Sequence, residues 1–433
     1  MTSKIVVNNI ESDSGINTVT IIGDVSVGSS ITATDITATH HGSGADLTNL
    51  PAANLTGILP AISGANLTGV GASFGNSSVN TSGIITATAF VSDTPLSHRN
   101  LVINGAMLVA QRATSDVGST GGYKTVDRFP HYATGLDENA TQSQVDVASG
   151  TTPYTLGFRK AFRITNGNQT SGAGAGDMLF GYYNLEAQDV SNSGWNYTSA
   201  SSFITLSFWV KSSVAQNFYG YVRTRDGTEQ SRPFQTGSLT ANTWTKITKV
   251  IPGDSNIQID NDTLTGMGLY FAPFAGANYT DNSKTVDTWS AYSSSARTPD
   301  NTGTWYTTND ATFEYTGVQL EVGPVATPFE HRSFGEELSR CQRYCVVDIA
   351  EKYWYNGHGG NVRDYSYYSW PTTMRAAPTI TFGTPITETL LNTSGGAGHQ
   401  ARKVTATSWQ YGPRASQTGN AYGEIPYTAD AEL

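Results

Sequence analysis

Short runs in which apolar and polar residues alternate recur along the chain, the pattern of a strand with one buried face. Early on they are NTVTIIGDVSV, SSITATDITA and GIITATAFV, punctuated by Gly and Asn turns. Farther on, ITLSFWVKS (204–212), NFYGYVRTR (217–225), WTKITKVIP (244–252), GMGLYFAPF (266–274) and ATFEYTGVQLEV (311–322) mix aromatic and β-branched residues between polar turns. Several short strands at this spacing predict a β-sandwich or jelly-roll head over residues 98–333. EELSRCQRYC reads as the one helix, predicted over 334–347. Residues 348–433 return to strand and turn, with Pro371, Pro378, Pro385, Pro413 and Pro426 breaking the runs, and are expected to form a distal β tip domain.

Composition divides the chain more sharply than periodicity does. Residues 1–97 carry one cation, Lys4, against Glu11, Asp13, Asp24, Asp35, Asp46 and Asp93, and their only aromatics are Phe74 and Phe90. The other 44 of 46 aromatics lie in residues 98–433, which places a domain boundary there. Three near-copies of one phrase, ADLTNL, ANLTGI and ANLTGV, fall between residues 45 and 71, and SGINTVTI (14–21) is echoed by SGIITATA (82–89). The phrases begin at Asp46, Asn54 and Asn66, an irregular spacing that excludes a regular solenoid. A single chain with such small Ile, Val, Leu and Ala stripes buries too little apolar surface to offset its ordering entropy. Three chains winding together bury those stripes, and small residues permit the close approach. The expectation is an all-β, elongated homotrimeric fibre, with an N-terminal attachment segment (1–30) and an intertwined, repetitive β stalk (31–97).

Charge and hydropathy narrow the partners. The net charge is −10 with no long basic run, which argues against nucleic acid. No apolar stretch reaches the roughly 18–20 residues that span a bilayer, so the protein is not expected to be membrane-embedded. MTSKIVVNNIESDSG has no basic region followed by a long apolar one, so synthesis in a cytosol and release by another route, such as lysis, is expected. Cys341 and Cys345, the only cysteines, stand four apart in the helical stretch and read as small packed residues, not as a disulfide framework or a metal site.

RNLVINGAMLVAQR (99–112), YKTVDRF (123–129), ITLSFWVKS and GVQLEVGPVATPFEHRSFGEELSRCQRYC (317–345) together resemble a widespread family of phage tail-fibre domains. In that family a jelly roll similar to carbohydrate-binding modules ends in this last motif. The stalk phrases GSGADLTNLP and ANLTG look like the shafts of marine phage fibres, cyanophage fibres among them, and SKIVVNNIES resembles the N-termini of phage structural proteins. The resemblance implies a trimeric virion tail fibre, made in the host cytoplasm. It implies attachment to a tail or baseplate protein through its N-terminus and contact with a host-surface glycan or outer-membrane receptor during adsorption. Residue by residue the motifs read as scaffold: Asp127 and Arg128 are expected to pair with each other's neighbours in or near the core, and Pro328 and Phe329 to staple the last strand to the helix.

The densest candidate site is KYWYNGHGGNVRDYSYYSWP (352–371). Sugar rings pack their C–H faces on aromatic planes and hydrogen-bond through their hydroxyls, so Tyr353, Trp354, Tyr355, His358, Arg363, Asp364, Tyr367 and Trp370 are the expected receptor contacts, around a loop opened by Gly357, Gly359 and Gly360. The competing reading is a β-domain core or a subunit interface. Asp254, Asp260 and Asp262 in GDSNIQIDND gather hard carboxylates that suit a structural Ca²⁺, against the simpler reading of a solvated turn. His40 and His41 would be tripled on a threefold axis and could take a transition metal, though a polar turn is simpler. Gly71–Ala72–Ser73–Phe74–Gly75 matches a hydrolase elbow in letters only, because it lies in a Gly-rich stalk. No catalytic motif or marked carboxylate pair appears. The expected protein is therefore a receptor-binding fibre and not an enzyme, with a structural collar or head fibre, or a polysaccharide depolymerase, as alternatives.

Overall fold

The computed structural model describes residues 98–360, 362–391 and 398–433. The predicted attachment segment and stalk, His40 and His41, and the 71–75 motif lie outside them. The described residues belong to one compact unit, Ala87–Leu433.

Two antiparallel sheets build a jelly-roll sandwich. One runs, in spatial order, Ser115–Ser119, Ala140–Asp146, Lys160–Thr165, Thr312–Val322, Phe203–Ser212 and Thr245–Pro252. The other runs Ser290–Ala291, Gln230–Ser238, Asn217–Thr224, Thr265–Ala275, Met178–Glu186, His131–Thr134 and Gly121–Gly122. The chain passes repeatedly from one sheet to the other, and the two sheets close over a common core. Phe162, Ile164, Leu206, Phe208, Val210 and Leu320 enter that core from the first sheet; Leu179, Tyr183, Val222, Leu269 and Phe271 enter from the second. The five predicted strands of the head are all present, their ends within one residue of expectation.

The helix is shorter than expected and is not alone. It spans Phe334–Gln342, capped by Ser333, whose side chain accepts from Glu336 N–H. The chain then turns at Arg343 and Tyr344, and Cys345 opens the long strand Cys345–Asn356. Helical spacing extended the expectation through 347, but Val346 is claimed by a sheet core. Two further short helices, Thr152–Thr155 and Ala187–Ser191, lie in turns of the sandwich. Both cysteines are free and buried.

Residues 345–433 form two smaller sheets, Cys345–Asn356 with Gly419–Asp430 and Thr379–Phe382, and Ser366–Ser369 with Ser408–Tyr411 and Ala401–Arg402. They close on a core of Trp370, Trp409, Tyr411, Ile425 and Tyr427. This region does not end as a free tip. Its last strand carries the chain back to the sandwich, where Glu432 pairs with the wholly buried Arg128, and Arg112 reaches both Asp430 (3.0 Å) and Glu432 (3.4 Å). Arg128 also lies over the Tyr344 ring at 3.5 Å and donates to the Asn184 carbonyl at 2.6 Å. Arg375 ties the same junction to Thr263 O and Ala431 O at 2.9 and 2.8 Å. The DR motif is thus scaffold, as expected, with Asp127 accepting from Gln111 N–H at 3.0 Å. Phe329 does something different from expectation: it packs on Phe158 of the sandwich, ring centroids 4.9 Å apart, and the link to the helix runs instead through Glu330, Arg332 and Glu337.

Candidate functional site

The proposed cluster at 352–371 does not form one surface, because alternation along its strands sends neighbouring aromatics to opposite faces. Tyr353 and Tyr355 stand on the open face of their sheet, 66% and 69% exposed, whereas Trp354 between them is 8% exposed and packs on Ala415, Ala421 and Leu391. Trp370, 7% exposed, stacks on Trp409 with ring planes 8° from parallel and donates from Nε1 to Thr405 O. Both tryptophans are core residues, which corrects the expectation that they contact receptor. Asp364 pairs with Lys352 at 3.1 Å, Arg363 donates to Gly412 O at 2.7 Å, and Tyr367 Oη meets Ser408 Oγ at 2.7 Å. His358 is exposed in the glycine loop.

The aspartates of 253–262 do not converge as a cation site either. Asp254 accepts from Asn256 N–H, and Asp262 from Leu264 N–H, each at 2.9 Å; Asp260 donates its own N–H to Asp226 at 2.9 Å. The first two are turn-closing bonds and the third ties the segment to a distant loop; among the described residues no group of three or more His, Cys, Asp or Glu is placed to hold a metal.

One concavity lies on the outer face of the seven-stranded sheet. It is an open groove of about 460 Å³. Its floor comes from three strands in register: Tyr182 of Met178–Glu186 sits opposite Tyr270 of Thr265–Ala275, which sits opposite Tyr221 of Asn217–Thr224. The three rings form a stack, 5.9 Å from Tyr182 to Tyr270 and 4.4 Å from Tyr270 to Tyr221. Phe180 meets Tyr270 edge-on at 5.5 Å, and Tyr132 stacks on Phe180 at 5.3 Å. Tyr270 has room to lie in this row because position 268, on the same face, is glycine: a Cβ there would stand 2.7 Å from its Cε2.

Arginines line the groove beside the tyrosines: Arg223, Arg225 and Arg297. Arg223 lies over the Tyr292 ring at 3.5 Å, and Arg297 over Tyr279 at 5.0 Å. Burial, with the neighbouring Tyr270, pushes the Tyr182 hydroxyl up to about 12, and raises Tyr221 further, so the phenols stay protonated donors at neutral pH. Tyr221 and Tyr270 give their faces to each other and are buried, so the open aromatic surface of the groove comes from the half-buried Tyr182 and the exposed Tyr132, beside N–H and O–H donors; a saccharide can use such groups, C–H faces against rings and hydroxyl or anionic oxygens against donors.

Sequence reasoning passed over these residues. The signal was in plain view: MLFGYYNLE, NFYGYVRT and TGMGLYFAPFA are apolar or aromatic on both strand faces, although only one face of a sandwich sheet meets the core.

No protein-family profile and no curated protein matches the chain. Among solved structures, it is similar to the enzymatically active domain of tailspike protein 4 of bacteriophage CBA120 (10% identity, TM-score 0.27). That match takes 52% of this chain and only 21% of the tailspike's length. It is also similar to the N-terminal cellulose-binding domain of a Cellulomonas fimi β-1,4-glucanase (11% identity, TM-score 0.25, 49% of this chain and 99% of that one). A third is the family 11 carbohydrate-binding module of a Clostridium thermocellum cellulosomal cellulase (12% identity, TM-score 0.24, 51% and 98%). At such identities and TM-scores a resemblance says nothing of function. Among the described residues no helix is long and apolar enough to cross a membrane.

Proposed function

We propose that the chain is a phage tail-fibre protein whose jelly-roll head holds a host-surface glycan without cleaving it. The observation that carries this reading is the stacked row Tyr182–Tyr270–Tyr221 on the floor of an open groove. Tyr221 and Tyr270 are buried and fix the shape of the floor, while Tyr182 and Tyr132 leave ring surface open on the solvent side of the sheet, where it suits sugar rings. No Asp or Glu side chain lines the groove, whereas glycoside hydrolysis uses a carboxyl pair about 5–9.5 Å apart, and this favours binding over cleavage. The stalk phrases and the tail-fibre motifs support the reading of a trimeric fibre that attaches to the tail or baseplate through its N-terminal segment. Three weak sites on one particle component raise avidity without new contacts.

The test is binding of the purified full-length protein to intact host cells, before and after periodate oxidation of surface sugars, with sedimentation to count chains. Binding that is lost on oxidation and carried by a trimer is expected. Binding that survives oxidation would point to a protein receptor, and no binding to untreated cells would favour a structural collar or head fibre.

A further inference from the structure

The groove is cationic although the chain as a whole carries a net charge of −10. Glu229 is held by Arg223, with Nε at 3.0 Å, and stands 3.7 Å from Arg225, so two guanidiniums share one carboxylate. Among the described residues Arg297 has no carboxylate partner. Its Nη1 donates to Met178 Sδ at 3.0 Å and its Nε to Ser294 O at 3.1 Å. A thioether is a weak acceptor, so a strong charged donor at the groove wall is left poorly satisfied. Tyr221 lines the same groove, and its buried hydroxyl has no hydrogen-bond partner among the described residues. A buried hydroxyl of this kind is costly unless something accepts from it, and the part-buried Arg297 beside the groove keeps its charge without a counter-ion among the described residues. The same wall therefore offers a surplus positive charge and an unfilled hydroxyl, next to a floor built for sugar rings.

We infer that the groove selects acidic glycans, with the carboxylate of a uronic acid or the oxygens of a sulfate ester taken by Arg297 and the Tyr221 hydroxyl. This rests on the glycan-binding reading above and adds the chemical class of the sugar. Arg223 and Arg225 set the sign of the field along the rest of the groove. A neutral glycan would leave Arg297 on its thioether and Tyr221 without an acceptor.

The experiment is calorimetric titration of the full-length protein with polygalacturonate, dextran sulfate, carboxyl-reduced polygalacturonate and dextran, alongside an array of neutral and acidic glycans. The expected result is binding to an anionic polymer that weakens with added salt and is about tenfold tighter than to its neutral counterpart, as for a charge-assisted hydrogen-bonded contact. Polygalacturonate alone would identify a carboxylate, and dextran sulfate alone a sulfate ester. R297Q should remove the preference, and the isosteric Y221F should weaken it in a protein whose melting curve shows it folded. Equal affinity for anionic and neutral glycans, or a preference untouched in folded R297Q, overturns the inference and leaves the groove reading in place. Binding to no glycan on the array overturns both.

Discussion

Tyr221 and Tyr270 lie face to face across neighbouring strands, their ring centroids 4.4 Å apart and their planes 7° from parallel. Each is nearly buried by the other and by the groove around it, and Tyr182, half-buried, ends the row on the open side. If this row is the sugar platform, truncating its open end removes contact area without opening the sandwich core. Tyr182→Ala is expected to weaken binding of the array-selected glycan by about tenfold, the 1–2 kcal/mol typical of an aromatic anchor, with little change in melting temperature. Unchanged affinity by calorimetry would remove Tyr182 from the site.

Gly268 tests the floor without touching any ring directly. Its φ is not in the left-handed region, so alanine is compatible with the backbone there and only space is at stake. A methyl at 268 would stand 2.7 Å from Tyr270 Cε2 and 2.9 Å from its Oη, and the ring must move. Gly268→Ala is expected to lower glycan affinity several-fold while the sandwich stays folded. Wild-type affinity would show that the ring's position is irrelevant to binding.

Trp370 and Tyr353 are close in sequence and opposite in role. Trp370→Ala deletes the partner of Trp409 in a packed core and is expected to cost about 3–5 kcal/mol in denaturant unfolding. Tyr353→Ala, on an open sheet face, is expected to stay within about 0.5 kcal/mol of wild type. Equal effects would contradict the inward placement of Trp370.

Glu432 answers a buried positive charge. Arg128 has no exposed surface, and Glu432 is its carboxylate partner. Glu432→Gln is expected to destabilise the protein by about 3 kcal/mol, because the guanidinium remains buried without its counter-charge. Replacing both partners together should recover part of the loss; a single-site effect below about 1 kcal/mol would show that the pair is dispensable.

His131 sets an acid limit. Burial lowers the proton affinity of its ring, Nε2 sits 3.2 Å from Ser119 O, and Nδ1 is buried without a partner. The unfolded chain takes a proton at the ordinary histidine pKa while the folded one resists. Stability from this residue is therefore full above about 6.5 and is lost as pH falls below it. Asp127 acts in the opposite sense: burial raises its carboxyl to about 6 against an ordinary 3.8, so acidification through that window favours the fold at that site. The diagnostic is thus a difference. Wild type should lose more stability than His131→Gln between pH 7.5 and 5 in parallel denaturation curves, and identical slopes would clear His131.

How far the sequence reached depends on how local the deciding physics was. Strands such as Phe203–Ser212 and Thr312–Val322 were legible because β-branched and aromatic runs bounded by polar turns carry their own boundaries. The helix end was not, because Cys345 and Val346 keep helical spacing and were drawn into a strand by pairing with Asp430 and Ala429, far along the chain. Nor was the inward turn of Trp354 and Trp370. In strands with aromatics on both faces, alternation says that neighbours part but not which of them meets the core. The groove lay furthest out of reach. Tyr182, Tyr221 and Tyr270 come from three separate segments, and only the pairing register of their strands sets them in one row. Residue type and local pattern determined the all-β sandwich and its strands by themselves; the tertiary structure decided which faces are covered, because that choice is made by residues distant in sequence.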